Sequence, residues 1–278
     1  MRDRERIIRI AAHHEREAES EAKRILGDDP LYDGIARRCV EPRLPKKGRI
    51  LDAGGGAGVW SSWMAGRTDC TVVLFDVALG LLKAAKQRRR MDTPGARRIE
   101  ILRADLREMP FGNSCFDFAL CEGDPIAICG DPNRAVEELS RVLKTGGYLA
   151  AGVDSTIYRA YRALSRGVSP REVAKFLRVG KSPAEDGAAF ESKSFTPSEF
   201  TSLLRNYSLH VVKIRGRPIG LGPNMLDAFV SAIPQQQRRR VFESEKDRTE
   251  LIDFLERVYQ EPYLAAMSSH LFVLAKKR

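Results

Sequence analysis

From Arg49 onward the chain repeats one unit: a short apolar run, then a segment with helical periodicity, then the next apolar run. This alternation constrains the fold more than any other feature. Strands separated by helices pair in parallel, and the helices cover both faces of the sheet. The strand-like runs are Arg49–Ala53, Thr71–Asp76, Arg98–Arg103, Phe116–Cys121, Tyr148–Val153, Leu209–Ile214 and His270–Ala275. Helical stretches lie at Trp60–Ala65 and Leu79–Arg90. A further helix is expected from Asp131-Pro132, an N-cap followed by proline at the first helical position, to Lys144, with Gly146-Gly147 ending it. The reading is an α/β fold with a doubly wound, mostly parallel sheet.

The rhythm breaks in three places. Residues 1–26 carry apolar positions at helical spacing, ended near Gly27 and Pro30, and Pro42 and Pro45 mark a linker. This suggests a helical cap over residues 1–45 and a core domain over 46–278. Residues 154–195 and 219–269 interrupt the core as cap insertions. The first has helical patches at Tyr158–Leu164 and Arg171–Leu177, and the second a helix at Arg248–Tyr259. Thr196 and Glu199 are spaced as a capping box between them.

The turn after the first strand reads Leu51-Asp52-Ala53-Gly54-Gly55-Gly56-Ala57-Gly58. Glycines there supply left-handed backbone and let a ligand approach the main chain. Gly54, Gly56 and Gly58 follow GxGxG rather than the GxGxxG dinucleotide fingerprint. No Gly-Lys-Ser/Thr follows, which excludes a P-loop. Asp52 would repel a pyrophosphate but suits a ligand with an ammonium group. Asp76 ends the second strand, where an acid can accept both hydroxyls of a ribose. Asp105, in Ala104-Asp105-Leu106, follows the third strand, where it can accept from an adenine amino group or cap a helix.

These pieces, with Met109-Pro110-Phe111, Phe116-Asp117 and Arg141–Gly147, resemble the class I S-adenosylmethionine-dependent methyltransferases, nearest to those acting on small molecules and in ubiquinone synthesis. The likeness spans roughly residues 30–154, with weaker likeness at 195–218 and 270–278. It implies a seven-stranded sheet in the order 3-2-1-4-5-7-6, the last strand antiparallel, and S-adenosyl-L-methionine as cofactor, with S-adenosyl-L-homocysteine as product. It also implies cofactor contacts from Tyr32, Asp52, Gly54, Gly56, Gly58, Asp76, Val77, Ala104, Asp105, Leu106 and Glu122. Two departures stand out. Gly55 replaces a larger residue of the family's loop. Cys121-Glu122-Gly123-Asp124-Pro125 is not the Asn/Asp-Pro-Pro-Tyr/Phe motif of methyltransferases acting on base or glutamine nitrogens.

Glu122 and Asp124, at the carboxyl end of the fourth strand, are candidates for a base or an acceptor-holding group. His13, beside His14 on the first helix, is a third. His210 and His270 lie in strands and read as packed or exposed. Trp60 and Trp63 read as packing. No His, Cys, Asp or Glu set shows metal-ligand spacing, so no metal is expected. Five scattered cysteines, the lack of an apolar leader and the lack of a bilayer-length apolar run suggest reduced thiols, a cytoplasmic location and no membrane partner. The net charge of +10 permits nucleic acid as a partner. However, Arg88–Arg90, Arg97-Arg98 and Arg238–Arg240 lack interleaved aromatics, so that partner is not favoured. The expected activity is methyl transfer to a small-molecule O, N or C acceptor. The rival readings are an RNA- or protein-directed methyltransferase and a non-catalytic, partner-activating subunit. The sequence is silent on oligomeric state.

Overall fold

A computed structural model describes residues 5–15, 30–91, 94–179, 181–182, 192–217, 243–258 and 260–278. Five parallel strands come first: β1 (Arg49–Ala53), β2 (Thr71–Asp76), β3 (Ile99–Arg103), β4 (Phe116–Cys121) and β5 (Leu143–Asp154). A short hairpin, β6 (Lys181–Ser182) and β7 (Ser192–Lys193), forms a sheet of its own. β8 (Leu209–Arg217) and β9 (His270–Lys277) complete the main sheet in the order β3-β2-β1-β4-β5-β9-β8. Counting only its seven strands, this is the expected 3-2-1-4-5-7-6. β9 runs antiparallel to both β5 and β8.

Alternate residues of each strand enter opposite cores, as the period of two dictates. Leu51, Val73, Ala119, Leu149 and Val273 face one side, and Ile50, Val72, Phe118, Ala150 and Leu274 the other. Both sets are buried, which is why these strands read as continuous apolar runs rather than alternating ones. The first core packs on α6 (Pro132–Val142) and α9 (Pro197–Asn206). The second packs on α2 (Pro30–Val40) and α3 (Val59–Ala65). α4 (Leu79–Arg89) covers β2 and β3 through Leu82 and Ala85. Trp60 and Trp63 stack edge to face, 5.3 Å apart, against the second core, as packing residues.

Several boundaries differ from the sequence reading. α6 stops at Val142, and Gly146-Gly147 lie inside β5 instead of ending the helix. Leu143 already pairs with Phe116, and Gly146, at φ +83°, lets the strand bulge before Tyr148 pairs with Phe118. Pro30 starts α2, since proline is well tolerated in a first turn, and the expected helix end near Gly27 lies outside the described residues. The linker is therefore confined to the residues around Pro42 and Pro45. The N-cap at Asp131 and the capping box at Thr196 and Glu199 form as expected.

The remaining helices lie outside the alternating core. Residues 5–15 form the first helix, α1. α7 (Thr156–Ser165) and α8 (Pro170–Val179) belong to the first insertion. α10 (Glu245–Val258) and α11 (Pro262–Met267) belong to the second. Residues 16–29 and 218–242, with the cluster Arg238–Arg240, lie outside the described residues. Among the described residues no helix is long and apolar enough to cross a membrane.

Candidate active site

The carboxyl ends of the parallel strands share one edge with the first residue of β9 and the last of β8, because β9 is antiparallel. Asp154 pairs with His270, and His270 with Arg217. Every acid singled out in the sequence, apart from those on loops beyond the strands, sits on or just behind this edge.

The glycine turn builds one half. Gly54, Gly56 and Gly58 all adopt positive φ, at 71°, 51° and 77°. Gly54 and Gly55 donate backbone hydrogen bonds to Phe75 O, which ties the turn to β2. A Cβ on Gly54 would lie 2.5 Å from the Pro125 ring, and one on Gly55 2.6 Å from the Asp52 carboxyl carbon. Glycine at 55, the departure from the family pattern, is thus matched to a carboxylate tucked beneath the loop. A Cβ on Gly56 would meet nothing closer than 3.8 Å, so backbone is open to a ligand there.

Asp76 accepts from Gly56 N at 3.1 Å through Oδ2 and from Ala78 N at 2.8 Å through Oδ1. Both oxygens thus face the glycine turn and the start of α4. Asp52 is 2% exposed and accepts from Ser61 Oγ at 2.6 Å. Burial pushes its pKa up to about 6, against the Ser61 hydrogen bonds. Both oxygens of Asp105 are engaged by Arg107, at 2.9 Å from Nη2 to Oδ2 and 3.2 Å from Nε to Oδ1. An adenine amino group would have to share this carboxylate with Arg107. Val77 and Ala104 are half-buried beside Asp76, with Ala104 N donating to Asp76 O. The Leu106 side chain is in the core, leaving its main chain to face a ring. The residues fit a cofactor with an ammonium, a ribose and an adenine.

α1 bridges two elements that flank this half. Arg6 reaches Ile128 O, and Glu15 accepts from Gly80 N at 2.6 Å. His13 is half-buried on α1, its ring edge-on to His14. The Tyr32 side chain lies outside the described residues, although its backbone is in α2.

The other half contains residues that sequence reasoning passed over. Arg217, wholly buried, pairs with Glu122 and with Asp33, the latter at 3.0 Å. Glu122 is 5% exposed and lies over Gly152, where a Cβ would collide with its carboxylate. It serves as the counter-ion of Arg217 rather than standing open to the cleft. Asp124 takes the left-handed backbone, φ 69°, and caps α5 (Pro125–Ile128). Its Oδ2 lies 3.0 Å from His270 Nε2, which is also 3.4 Å from Asp154 Oδ1. Arg159 of α7 pairs with the other oxygen of Asp154. His210, by contrast, pairs with Lys276 at the opposite edge of the sheet.

Asp124, Asp154 and His270 are the trio, among the described residues, whose potential ligand atoms converge, all within 4.8 Å. Two cationic groups already face its carboxylates, Arg159 and the His270 ring, so the charge balances without an ion. Burial opposes a charge on His270, but Asp124 and Asp154 outweigh it and lift its pKa above the usual value. Ser269, His270 and Asp124 also follow the order of a hydrolase triad. However, Ser269 Oγ is 2% exposed and donates to Arg217 O, which leaves it no nucleophilic role.

A doubly wound sheet in this order, with a GxGxG turn and an acid closing the strand beside it, is similar to the fold of solved S-adenosylmethionine-dependent methyltransferases. The cofactor of this class is S-adenosylmethionine. Residues 50–147 match the methyltransferase domain family. The demethylmenaquinone methyltransferase of Clavibacter sepedonicus is 30% identical over 150 residues, which is 52% of this chain and 58% of that protein. The sarcosine/dimethylglycine N-methyltransferase of Aphanothece halophytica is 29% identical over 126 residues, 43% of this chain and 44% of that protein. The chain thus spans about half the length of the curated relatives it matches. An S-adenosylmethionine-dependent methyltransferase structure from Methanosarcina mazei shares the fold, with a TM-score of 0.58 and 19% identity over 86% of this chain and 96% of that one.

Proposed function

We propose that the whole chain is an enzyme that transfers the methyl group of S-adenosylmethionine to a small molecule. When bound, the cofactor supplies a methyl group on a sulfonium, a carbon electrophile whose sulfur leaves with the bonding pair. Asp76, the glycine turn and Asp105 would hold it. Asp52 beneath the turn would favour its ammonium group. Much of the rate then comes from holding the acceptor in line at about 3–3.5 Å.

The observation that carries the small-molecule reading is closure of the acceptor end. Glu122, Asp154 and Arg217 are 5%, 8% and 0% exposed in their side chains. α2 and α11 pack on β8 and β9 there, and α7 packs on α11. A closed, polar-lined end admits a metabolite more readily than an RNA or a protein side chain. The relatives' named acceptors, demethylmenaquinone, sarcosine and dimethylglycine, support this choice. Of the three catalytic candidates, Asp124 suits an acceptor-binding role best. Glu122 is engaged by Arg217, and His13 sits on the helix that bridges the cofactor half.

The test is methyl transfer from labelled S-adenosylmethionine to reduced demethylmenaquinone, sarcosine, dimethylglycine and total RNA. Label in a small acceptor is the expected result. Label in RNA alone would overturn the assignment.

A further inference from the structure

Four carboxylates stand at the acceptor end. Glu122 is held by Arg217, Asp33 by Arg217 and Arg37, and Asp154 by Arg159. Both Glu122 oxygens and Asp124 Oδ1 are buried with no hydrogen-bond partner among the described residues, but Glu122 is answered by the Arg217 charge, whereas Asp124 meets the His270 ring through Oδ2 alone. A buried carboxylate oxygen without a partner is costly, and such an atom calls for a donor from elsewhere. Asp124 also holds a left-handed backbone that a non-glycine residue adopts at a cost. The next residue, Pro125, lies against Gly54, so Asp124 adjoins the cofactor turn.

The hydrogen bonds around His270 decide its state. Ser269 Oγ donates to Arg217 O at 2.8 Å, so His270 Nδ1, 3.0 Å away, is the donor to Ser269. Nε2 faces two carboxylates and donates there as well. A ring that donates from both nitrogens is an imidazolium. The charged groups facing it are Asp124 from the α5 loop, Asp154 from β5 with its partner Arg159 of α7, and Arg217 of β8, itself paired with Glu122 and Asp33.

We propose that Asp124 Oδ1 receives the hydrogen of an acceptor hydroxyl, a phenol or an enol, and that His270 is the positioning residue fixing this carboxylate from behind. The inference rests on the methyltransferase reading above. An amine attacks only as the free base, and a carboxylate beside it favours the unreactive ammonium. A phenol or enol instead gains nucleophilicity as its proton moves to a carboxylate. In the balanced step the acceptor O–H bond breaks and its proton passes to Asp124. The freed electron pair, on oxygen or a conjugated carbon, forms the bond to the methyl carbon. The carbon–sulfur pair remains on sulfur, giving neutral S-adenosylhomocysteine.

The experiment uses the full chain labelled with 15N-histidine and saturated with S-adenosylhomocysteine, with His270 assigned by its loss in His270→Gln. The probes are 1,4-naphthohydroquinone under argon and 1,4-dimethoxynaphthalene, which lacks the hydrogens. The expected result is an imidazolium at neutral pH whose titration midpoint lies above the usual histidine value and falls in Asp124→Asn. The hydroquinone shifts the His270 resonances and the dimethoxy compound does not. The hydroquinone response disappears in Asp124→Asn, while affinity for S-adenosylhomocysteine stays within about twofold. Equal responses to the two probes, or to neither, would overturn the hydroxyl assignment. A midpoint at or below the usual value would overturn the role of His270. Broadening of His270 by stoichiometric Mn2+ alone would also overturn the proposal, making the trio a cation site. Failure of the wild-type chain to bind S-adenosylhomocysteine would instead bring down the methyltransferase reading beneath it.

Discussion

Two aspartates at the cofactor half make separable predictions at the residue scale. Asp76 offers two charge-assisted hydrogen bonds to a ribose, each worth about 1.5–3 kcal/mol. Asp76→Ala should therefore weaken S-adenosylhomocysteine binding at least about tenfold by calorimetry. Asp52 predicts a pH dependence. Its folded pKa, about 6, lies above its ordinary value of 3.8 because burial disfavours the charge. The folded state therefore binds a proton more tightly than the unfolded chain, and this contribution is complete below the ordinary value. It is lost as pH rises through the folded one. Between about pH 4 and pH 7 the wild type should lose on the order of 3 kcal/mol of stability that Asp52→Asn retains, read from denaturant midpoints. Over the same window cofactor affinity should rise in the wild type and stay flat in Asp52→Asn, since the ionised carboxylate is what favours an ammonium. A parallel pH profile in the variant would remove Asp52 from that role.

At the scale of elements, one clamp explains why dispersed motifs travel together. Glu138 of α6, 2% exposed, accepts from Met109 N at 2.8 Å. Arg141 pairs with Glu138 and donates to Phe111 O at 2.7 Å and Met109 O at 3.1 Å. The hydrogen bond from Arg141 holds the Glu138 carboxyl below its usual pKa. The clamp fixes the stretch that follows Asp105. Arg141→Ala leaves the buried Glu138 carboxylate only Met109 N and Arg134, 3.5 Å away, and should cost about 3 kcal/mol, measured by urea unfolding. A cost below about 0.5 kcal/mol would mean the clamp is loose. The seven main strands were legible because both faces of the sheet are buried, so each strand reads as an apolar run. Helix ends were less so. Gly146-Gly147 reads as a stop but serves as a bulge, since the pairing of Leu143 with Phe116 outweighs local propensity. The positions of the proposed cofactor acids were legible because each lies at or just beyond a parallel strand's carboxyl end. Asp154 ends β5 by the same rule and was open to the same inference. His270 was open to it too, since the resemblance implies an antiparallel last strand that starts on that edge, but Arg217 was not, because β8 runs three residues past Ile214, where its apolar run ends.

For the molecule as a whole, the net charge of +10 raised nucleic acid as a partner. The described arginines of the basic clusters are partly engaged by main-chain carbonyls. Arg89 donates to Ile99 O, and Arg98 to Ala65 O and Thr68 O. A shallow cavity of about 340 Å3 lined by Arg89, Arg90, Ala96 and Arg97 lies toward the amino edge, away from the aspartates. Arg88 of the same cluster is engaged by Ala57 O of the glycine turn, at 3.1 Å. RNA binding, if measured in a salt series, should therefore be nonspecific and fall steeply with salt, without competing with S-adenosylhomocysteine. The proposed function makes one half of the carboxyl edge a cofactor cradle and the other an acceptor end. Calorimetric titration of the full chain with S-adenosylhomocysteine tests this most directly. The account predicts one molecule bound per chain, with affinity reduced at least about tenfold by Asp76→Ala and unchanged by Arg97→Ala at the far edge. No binding by the wild type, or equal binding by the wild type and Asp76→Ala, would contradict it.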